Sequence, residues 1–341
     1  MGNRVVLTGT LGNLTPEQVK EMERQLLEKF PQAEFEHIND VPVSEDELIP
    51  LIGSADVILT TYQKITDKVY DHIAPTLKAC ISLGIGYDNA NVSAASKHNV
   101  AVANIPDYCI EEVALHTVTM ILAVHRGVLP TIRALDEGRW AERFAIVAPV
   151  SRFSLVTIGL FGFGNISQEV AKMLKGFDVS IIAYDPYPNK DKAEALGVKL
   201  VDFETLVKES DYLSVHAPLL SGTARIINEK VFYKMKKNAV LVNTSRGGLV
   251  DPDSLYGALK NGTIRAAALD VFVEEPPMGI EAEICKLPNV LSSPHIAFYS
   301  DNAIDEFISK GVAETVRVLK GERPLNLINK EIEPNLTWIK K

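Results

Sequence analysis

The chain has 341 residues, 46% of them hydrophobic, which is enough for two ordinary domains with substantial cores. A net charge of −9 and an isoelectric point near 5.4 exclude the clustered basic surface that nucleic acid requires and leave a small-molecule protein as the default. Cys80, Cys109 and Cys285 form neither a disulfide framework nor a metal-ligand spacing, no cationic leader with an apolar core opens the chain, and no apolar segment reaches about 18 residues without a charge, so the expectation is a cytoplasmic protein with no membrane span and no metal.

In chain order, "RVVLTG" reads as a buried strand, followed by the helical "TPEQVKEMERQLLEKF" with Thr15 as its cap and Pro16 at its first position. The charged faces of that helix are most simply solvated. "ADVILTT", "ACISLG" and "VAVANI" continue as strands between helical stretches, an alternation that predicts a parallel sheet. "EEVALHTVTMILAVHR" is a long apolar helix, in which His116 and His125 are expected to serve packing or a subunit interface. Cys109 stands where that helix begins; a helix dipole can lower a thiol pKa, but a buried inert thiol is the simpler reading. After the irregular "WAERFAIVAPVSRF", a second alternating series runs from about Leu155 to about Ser293 through "VSIIAYD", "YLSVHAP", "AVLVNTS", "IRAAALD" and "NVLSS". Two α/β domains are expected. The final helical stretch, "DEFISKGVAETVRVLKG", follows the second series and is expected to pack back on the first domain.

The second series opens with "VTIGLFGFGNISQEVAKML". A strand ending at Gly162 would turn sharply, Gly164 would admit a pyrophosphate close to the backbone, and a helix from about Asn165 would aim its free N–H groups at that anion. Ser167 stands where a third glycine is usual, so its side chain must fit a tight helix–strand contact. The next strand ends at Asp185, placed to hold both ribose hydroxyls of an adenosine. Its charge would repel a 2′-phosphate and no Arg follows it directly, so NAD is favoured over NADP. The bland alternative is a glycine turn with a surface aspartate.

Later strand ends carry the remaining chemistry. Arg246 in "LVNTSRGGLVD" offers a planar fork for a carboxylate. Asp270, Glu274 and Glu275 follow in "ALDVFVEEPP", and His295 in "LSSPHIAFYS". In a doubly wound sheet these ends border one crevice. A cation for a carboxylate, an imidazole and a carboxylate to polarise it suit a ketone–alcohol hydride transfer, in which the alcohol proton leaves with the hydride. Singly, Arg246 could cap a helix, Glu275 could be a solvated charge and His295 a satisfied strand-end histidine. His216 in "HAPL" reads as structural.

Together, "GLFGFGNI", "AYDPY", "HAPL", "NTSRGGLVD", "ALDVFVEEPP" and "SPHIA", with "SLGIGYDNAN" and "NIPDYCIEEVALHTVTMILAVHR" upstream, resemble the D-isomer-specific 2-hydroxyacid dehydrogenase family over nearly the whole chain. The resemblance implies an α/β protein of two domains: a flavodoxin-like substrate domain from residues 1–103 and 298–330, an inserted Rossmann-type NAD-binding domain of doubly wound parallel sheet at 104–297, and a tail at 331–341. It implies an NAD-dependent oxidoreductase interconverting a small 2-oxo acid and a D-2-hydroxy acid, with the active site in the cleft. Arg246 would hold the substrate carboxylate, with the backbone of Ile85 and Gly86 as further donors; His295 would be the acid/base and Glu275 its partner. Cofactor contacts would come from Gly162, Phe163, Gly164, Asn165 and Ile166 at the turn, then Asp185, Pro218, Thr244, Ser245 and Asp270. The "PDYCIEEVALHT" helix would help form a homodimer.

An alternative is a dinucleotide-sensing binding protein, because the chain is also similar to the branch that includes the C-terminal binding protein corepressors. Phe298 stands where that branch typically has tryptophan. Related formate dehydrogenases carry glutamine where this chain has Glu275, which argues against formate oxidation. The preferred 2-oxo acid is not fixed by the sequence. Tyr87, Tyr108, Phe298 and Tyr299 could line a pocket for a neutral or aromatic group, and no cluster of cations near these motifs favours a phosphate-bearing substrate.

Overall fold

A computed structural model describes residues 3–10, 14–73 and 75–339; Lys340 and Lys341, the end of the expected tail, lie outside the described residues. The chain divides into two units, Met1–Tyr108 with Ser300–Lys341, and Cys109–Tyr299.

The first unit alternates β1 (Arg4–Thr8), α1 (Pro16–Lys29), β2 (Glu34–Asn39), α2 (Glu45–Ile52), β3 (Val57–Thr60), α3 (Asp67–Ile73), β4 (Ala79–Ser82), α4 (Val92–Lys97) and β5 (Ala101–Asn104). Thr15 caps α1 reciprocally: its hydroxyl accepts the Gln18 N–H at 3.3 Å, and the Gln18 side chain accepts the Thr15 N–H at 2.9 Å. All strand pairings are parallel, in the order β2-β1-β3-β4-β5, the flavodoxin-like arrangement. The strands β3, β4 and β5 are buried throughout, as helices on both faces of a parallel sheet require.

The second unit begins with α5 (Ile110–His125), α6 (Val128–Asp136) and α7 (Arg143–Val147). It continues through β6 (Thr157–Phe161), α8 (Asn165–Leu174), β7 (Ser180–Tyr184), α9 (Lys190–Leu196), β8 (Lys199–Leu200), α10 (Phe203–Glu209) and β9 (Tyr212–Val215). It ends with α11 (Glu229–Phe232), β10 (Val240–Asn243), α12 (Pro252–Lys260), β11 (Ala266–Leu269), α13 (Gly279–Lys286) and β12 (Val290–Ser292). The strand order is β12-β11-β10-β9-β6-β7-β8, all parallel, so the winding reverses between β6 and β9. That reversal opens a crevice at the carboxyl ends of the two strands. The helix α5 buries Val113, Ala114, Val118, Met120 and Ile121 and packs on α8. Among the described residues no single helix is long and apolar enough to cross a membrane; α5 and α6 reach that length only together, across a 56° bend.

The last helix, α14 (Asp301–Leu319), belongs to the first unit and packs on α1 and β4. Ser300 caps it by accepting the Ala303 N–H at 2.9 Å. Gly311 permits this packing, since a Cβ there would lie 2.7 Å from Leu83 Cδ2. The unit boundaries differ by a few residues from those expected. Residues 104–108 stay with the first sheet, because the Ile105 N–H donates to the Gly84 carbonyl at 2.9 Å and Ile105 is buried. The segment after α14 is tied to the same sheet by Asn329, whose side chain accepts the Val102 N–H at 2.9 Å and donates to the Val100 carbonyl at 2.9 Å.

The turn after β6 lies directly against the one after β9. Gly162 has φ +93, and a Cβ on it would lie 2.8 Å from the carbonyl carbon and oxygen of His216. The His216 Nε2 lies 2.8 Å from Ser214 Oγ, and burial pushes the imidazole down to about 4, so it is neutral at physiological pH. A neutral, half-buried histidine makes stability pH-dependent with a definite sign. Between about 4 and the unfolded value of about 6.5 the unfolded chain binds the extra proton, so this stability is complete above about 6.5 and is lost as pH falls toward 4. The melting temperature of the wild type is therefore expected to fall more steeply over that interval than that of His216→Gln; parallel melting curves against pH would refute the assignment.

Candidate active site

The glycine turn is built for an anion. Gly164 stands at the N-cap of α8 with no side chain to cap it, and a Cβ there would meet nothing within 4 Å. The first-turn N–H groups of α8 therefore keep their dipole end for a ligand. Ser167, in the place of a third glycine, is fully buried and its hydroxyl donates to the Gly162 carbonyl at 2.5 Å. The side chain thus stitches the turn to the helix instead of separating them. Asp185 follows β7, and its two carboxylate oxygens accept the Phe163 N–H at 2.8 Å and the Tyr187 N–H at 2.7 Å. A carboxylate beside an open glycine turn has the chemistry that a dinucleotide requires.

The other expected cofactor positions surround the same strand ends. Phe163 is buried, and Ile166 is partly buried against the core beneath α8. The Pro218 carbonyl accepts the Thr223 hydroxyl at 2.7 Å, and Ser245 Oγ donates to the Ala217 carbonyl at 2.8 Å, which ties the segment after β10 to that after β9. The Thr244 hydroxyl lies 2.7 Å from that of Thr117 on α5.

Arg246 follows β10 in extended conformation, with Nη1 donating to the Ser245 carbonyl at 2.8 Å and its own carbonyl accepting the Asn243 side chain at 2.9 Å. The next residue fixes where this segment lies. A Cβ on Gly247 would fall 2.0 Å from the Phe272 carbonyl carbon, so only glycine lets the Arg246 segment touch the backbone that leads to Glu275. That backbone is held by two carboxylates. Glu275 Oε1 accepts the Phe272 N–H at 3.0 Å, and the buried Glu281 accepts the N–H groups of Val273 at 2.9 Å and Glu274 at 3.2 Å.

His295 closes the constellation. Its Nδ1 lies 2.6 Å from Glu275 Oε2, and both side chains are mostly shielded from solvent. This contact fixes the ring orientation and turns Nε2 away from Glu275. The His295 backbone is left-handed at φ +52, a conformation that costs a non-glycine residue about 1–2 kcal/mol. Asp270, with no solvent exposure, compensates. Its carbonyl accepts the His295 N–H at 2.8 Å, and its carboxylate accepts the N–H groups of Ile296 and Ala297, each at 3.0 Å, and the Ser293 hydroxyl at 2.5 Å.

The second unit therefore brings Arg246, Asp270, Glu275 and His295 together at the ends of three adjacent strands, whereas Glu274 lies beside them as a backbone donor to Glu281. Ile85 and Gly86 lie in the first unit, in the turn after β4, where their carbonyls accept the side chains of Asn104 at 2.7 Å and Ser82 at 2.9 Å. Gly247, Glu281 and Ser293 were not anticipated. A glycine after Arg246 and a carboxylate at a helix start have many uses, and only the close approach at Phe272 distinguishes them. Among the described residues no group of three or more His, Cys, Asp or Glu side chains could hold a metal ion.

The family model for the NAD-binding domain of D-isomer-specific 2-hydroxyacid dehydrogenases matches residues 118–297. The D-3-phosphoglycerate dehydrogenase of Methanocaldococcus jannaschii is 38% identical over 303 residues, covering 86% of this chain but 56% of that protein, so the chain spans about half the length of that relative. The glyoxylate reductase of Thermococcus litoralis is 35% identical over 319 residues, 92% of this chain and 96% of that one. Among solved structures, the D-lactate dehydrogenase from Aquifex aeolicus complexed with NAD and lactic acid superposes with a TM-score of 0.82 at 25% identity, covering 98% of each chain. The chain belongs to the D-isomer-specific 2-hydroxyacid dehydrogenase family of NAD-dependent oxidoreductases.

Proposed function

We propose that the protein reduces a small 2-oxo acid to the D-2-hydroxy acid with NADH, and that Arg246, Glu275 and His295 carry the reaction. The 2.6 Å pairing of His295 Nδ1 with Glu275, with Arg246 on the segment after the neighbouring strand, is the observation on which this rests. The bound nicotinamide supplies the hydride. Arg246 holds the substrate carboxylate through its planar fork and so fixes the position of the oxo carbon. His295 Nε2 donates a proton to the oxygen as negative charge develops there, and Glu275 stabilises the imidazolium from which that proton comes. In the reverse direction, the same nitrogen takes the alcohol proton. A protein that only sensed dinucleotides would need neither the pair nor the guanidinium.

The residues that would hold the cofactor are Gly162, Phe163, Gly164, Asn165 and Ile166 at the turn, Asp185 for the ribose, and Pro218, Thr244 and Ser245. Asp270, expected near the nicotinamide carboxamide, is sealed from solvent, so its proposed part is to hold the segment that carries His295 and not to face the cofactor as an open acceptor. The substrate side chain is neutral: Phe298 stands edge-on to the His295 ring with centroids 6.1 Å apart, and Tyr299 follows it. Ile85 and Gly86 are proposed as further backbone donors to a carboxylate.

We further propose a homodimer in the cytoplasm. Leu135, Trp140 and Phe144, on and between α6 and α7, are 60%, 65% and 71% exposed, with Ile132 beside them at 52%. So much apolar surface in one segment suits a second copy of the chain. The helix α5, expected to form that interface, is largely buried on its own unit, with Leu115 as its exposed large apolar residue. Few cysteines, odd in number, suit a reducing compartment.

Three measurements test these readings. In a screen of 2-oxo acids, kcat/KM with NADH is expected to exceed that with NADPH by at least about tenfold, and Asp185→Ala to narrow the gap. Equal use of both cofactors would remove Asp185 from the ribose site. Arg246→Lys is expected to lower kcat/KM markedly and Arg246→Ala further, with NADH affinity little changed, and Glu275→Gln to lower kcat by roughly 10²–10⁴; near-wild-type turnover in either set would break the assignment. Light scattering is expected to give twice the chain mass, and Trp140→Glu with Phe144→Glu to give the monomer; a monomeric wild type would overturn the dimer.

A further inference from the structure

The helix α5 carries a histidine that reaches the same strand ends. His116 Nε2 lies 3.0 Å from Ser293 Oγ and 3.6 Å from Asp270 Oδ1, with its ring three-quarters shielded. The direction of this chain of bonds follows from proton counting. Ser293 has one hydroxyl proton and gives it to Asp270 Oδ1 at 2.5 Å, so the serine oxygen can only accept from His116. His116 is therefore the tautomer protonated on Nε2, donating to Ser293.

Ser293 is the first residue of the segment 293–297 that Asp270 holds. That segment donates four hydrogen bonds to residue 270, from the Ser293 hydroxyl and the N–H groups of His295, Ile296 and Ala297, and it carries His295 at φ +52. The anchor is extended beyond Asp270 to a different element, because His116 projects from α5 and not from the sheet. We propose that His116 is a positioning residue for the reaction: its Nε2–H, acting through Ser293 and Asp270, holds the His295 segment in the geometry that proton transfer needs. This goes beyond packing, the role its apolar helix suggests, and it rests on the acid/base role proposed for His295.

Hydrogen exchange of the cofactor-free protein tests the anchor independently of turnover. In His116→Ala the amides of residues 295–297 are expected to exchange roughly tenfold faster than in the wild type, with NADH affinity unchanged. Turnover of the same variant is expected to show kcat for 2-oxo acid reduction reduced roughly tenfold and KM for the acid nearly constant, because Arg246 is untouched. His116→Gln, which keeps an N–H donor near the same place, is expected to restore most of both, and His116→Ala combined with Ser293→Ala to be no worse than Ser293→Ala alone. Unchanged exchange in His116→Ala, an unchanged kcat, losses that add in the double variant, or no rescue by glutamine would each overturn the proposal. A wild type inactive on every 2-oxo acid would instead sink the dehydrogenase reading, while the exchange measurement would still judge the anchor. Should His116→Ala fail to fold, Ser293→Ala, which cuts the same link, is expected to give the faster exchange and lower kcat, and its failure to do so is decisive.

Discussion

The carboxylate of Asp270 is sealed from water and must find its hydrogen bonds within the chain, and it finds them in residues 293–297. A buried carboxylate left without donors costs several kcal/mol, so this segment has little freedom to lie elsewhere. The left-handed backbone of His295 is held in consequence, and so is the direction of its ring toward Glu275. Each such bond contributes about 0.5–1.5 kcal/mol, and together they offset the backbone cost. The geometry of the His295–Glu275 pair is thus a product of what lies beneath it.

Around that anchor, segments approach one another at distances only glycine allows. Gly162 lies against the main chain of His216, and Gly247 against that of Phe272, so consecutive strand ends are clasped in pairs across the sheet. One clasp shapes the turn under the dinucleotide; the other sets Arg246 beside the segment of Glu275. Ser245, which bonds the Ala217 carbonyl, joins the two. Parallel pairing explains why this is possible: every strand delivers its following residues to the same edge, so segments far apart in sequence become neighbours without any long excursion.

Much of this was legible in the sequence. Apolar runs with glycine or polar punctuation marked the central strands, and Gly162 and Asp185 marked the ends of β6 and β7, because buried parallel strands and tight turns tolerate few alternatives. Two strands escaped. β2, "EFEHIN", has only Phe35 and Ile38 as apolar residues and no regular alternation, and β8 is two residues long; both lie at sheet edges, where the apolar signal fades. The links from His116 to Ser293 and from Gly247 to Phe272 were invisible for another reason. They join residues whose proximity is created by the fold, and no local pattern records them. Ser167 is instructive: read as a departure from a glycine rule, it proves to supply a hydrogen bond that glycine lacks.

The discontinuity of the first unit has a temporal side. Its sheet is complete once residue 104 has been made, yet α14, which covers Leu83 and Ile105, is encoded only after residues 109–299. At the usual pace of protein synthesis that interval is about 10–40 s. Throughout it the nascent amino-terminal sheet displays apolar side chains that its permanent cover has yet to reach, while the inserted unit has all of its own sequence and can mature first. The first sheet therefore gains its last helical cover only after the inserted unit has been made, and the strands left waiting for it are β3 and β4.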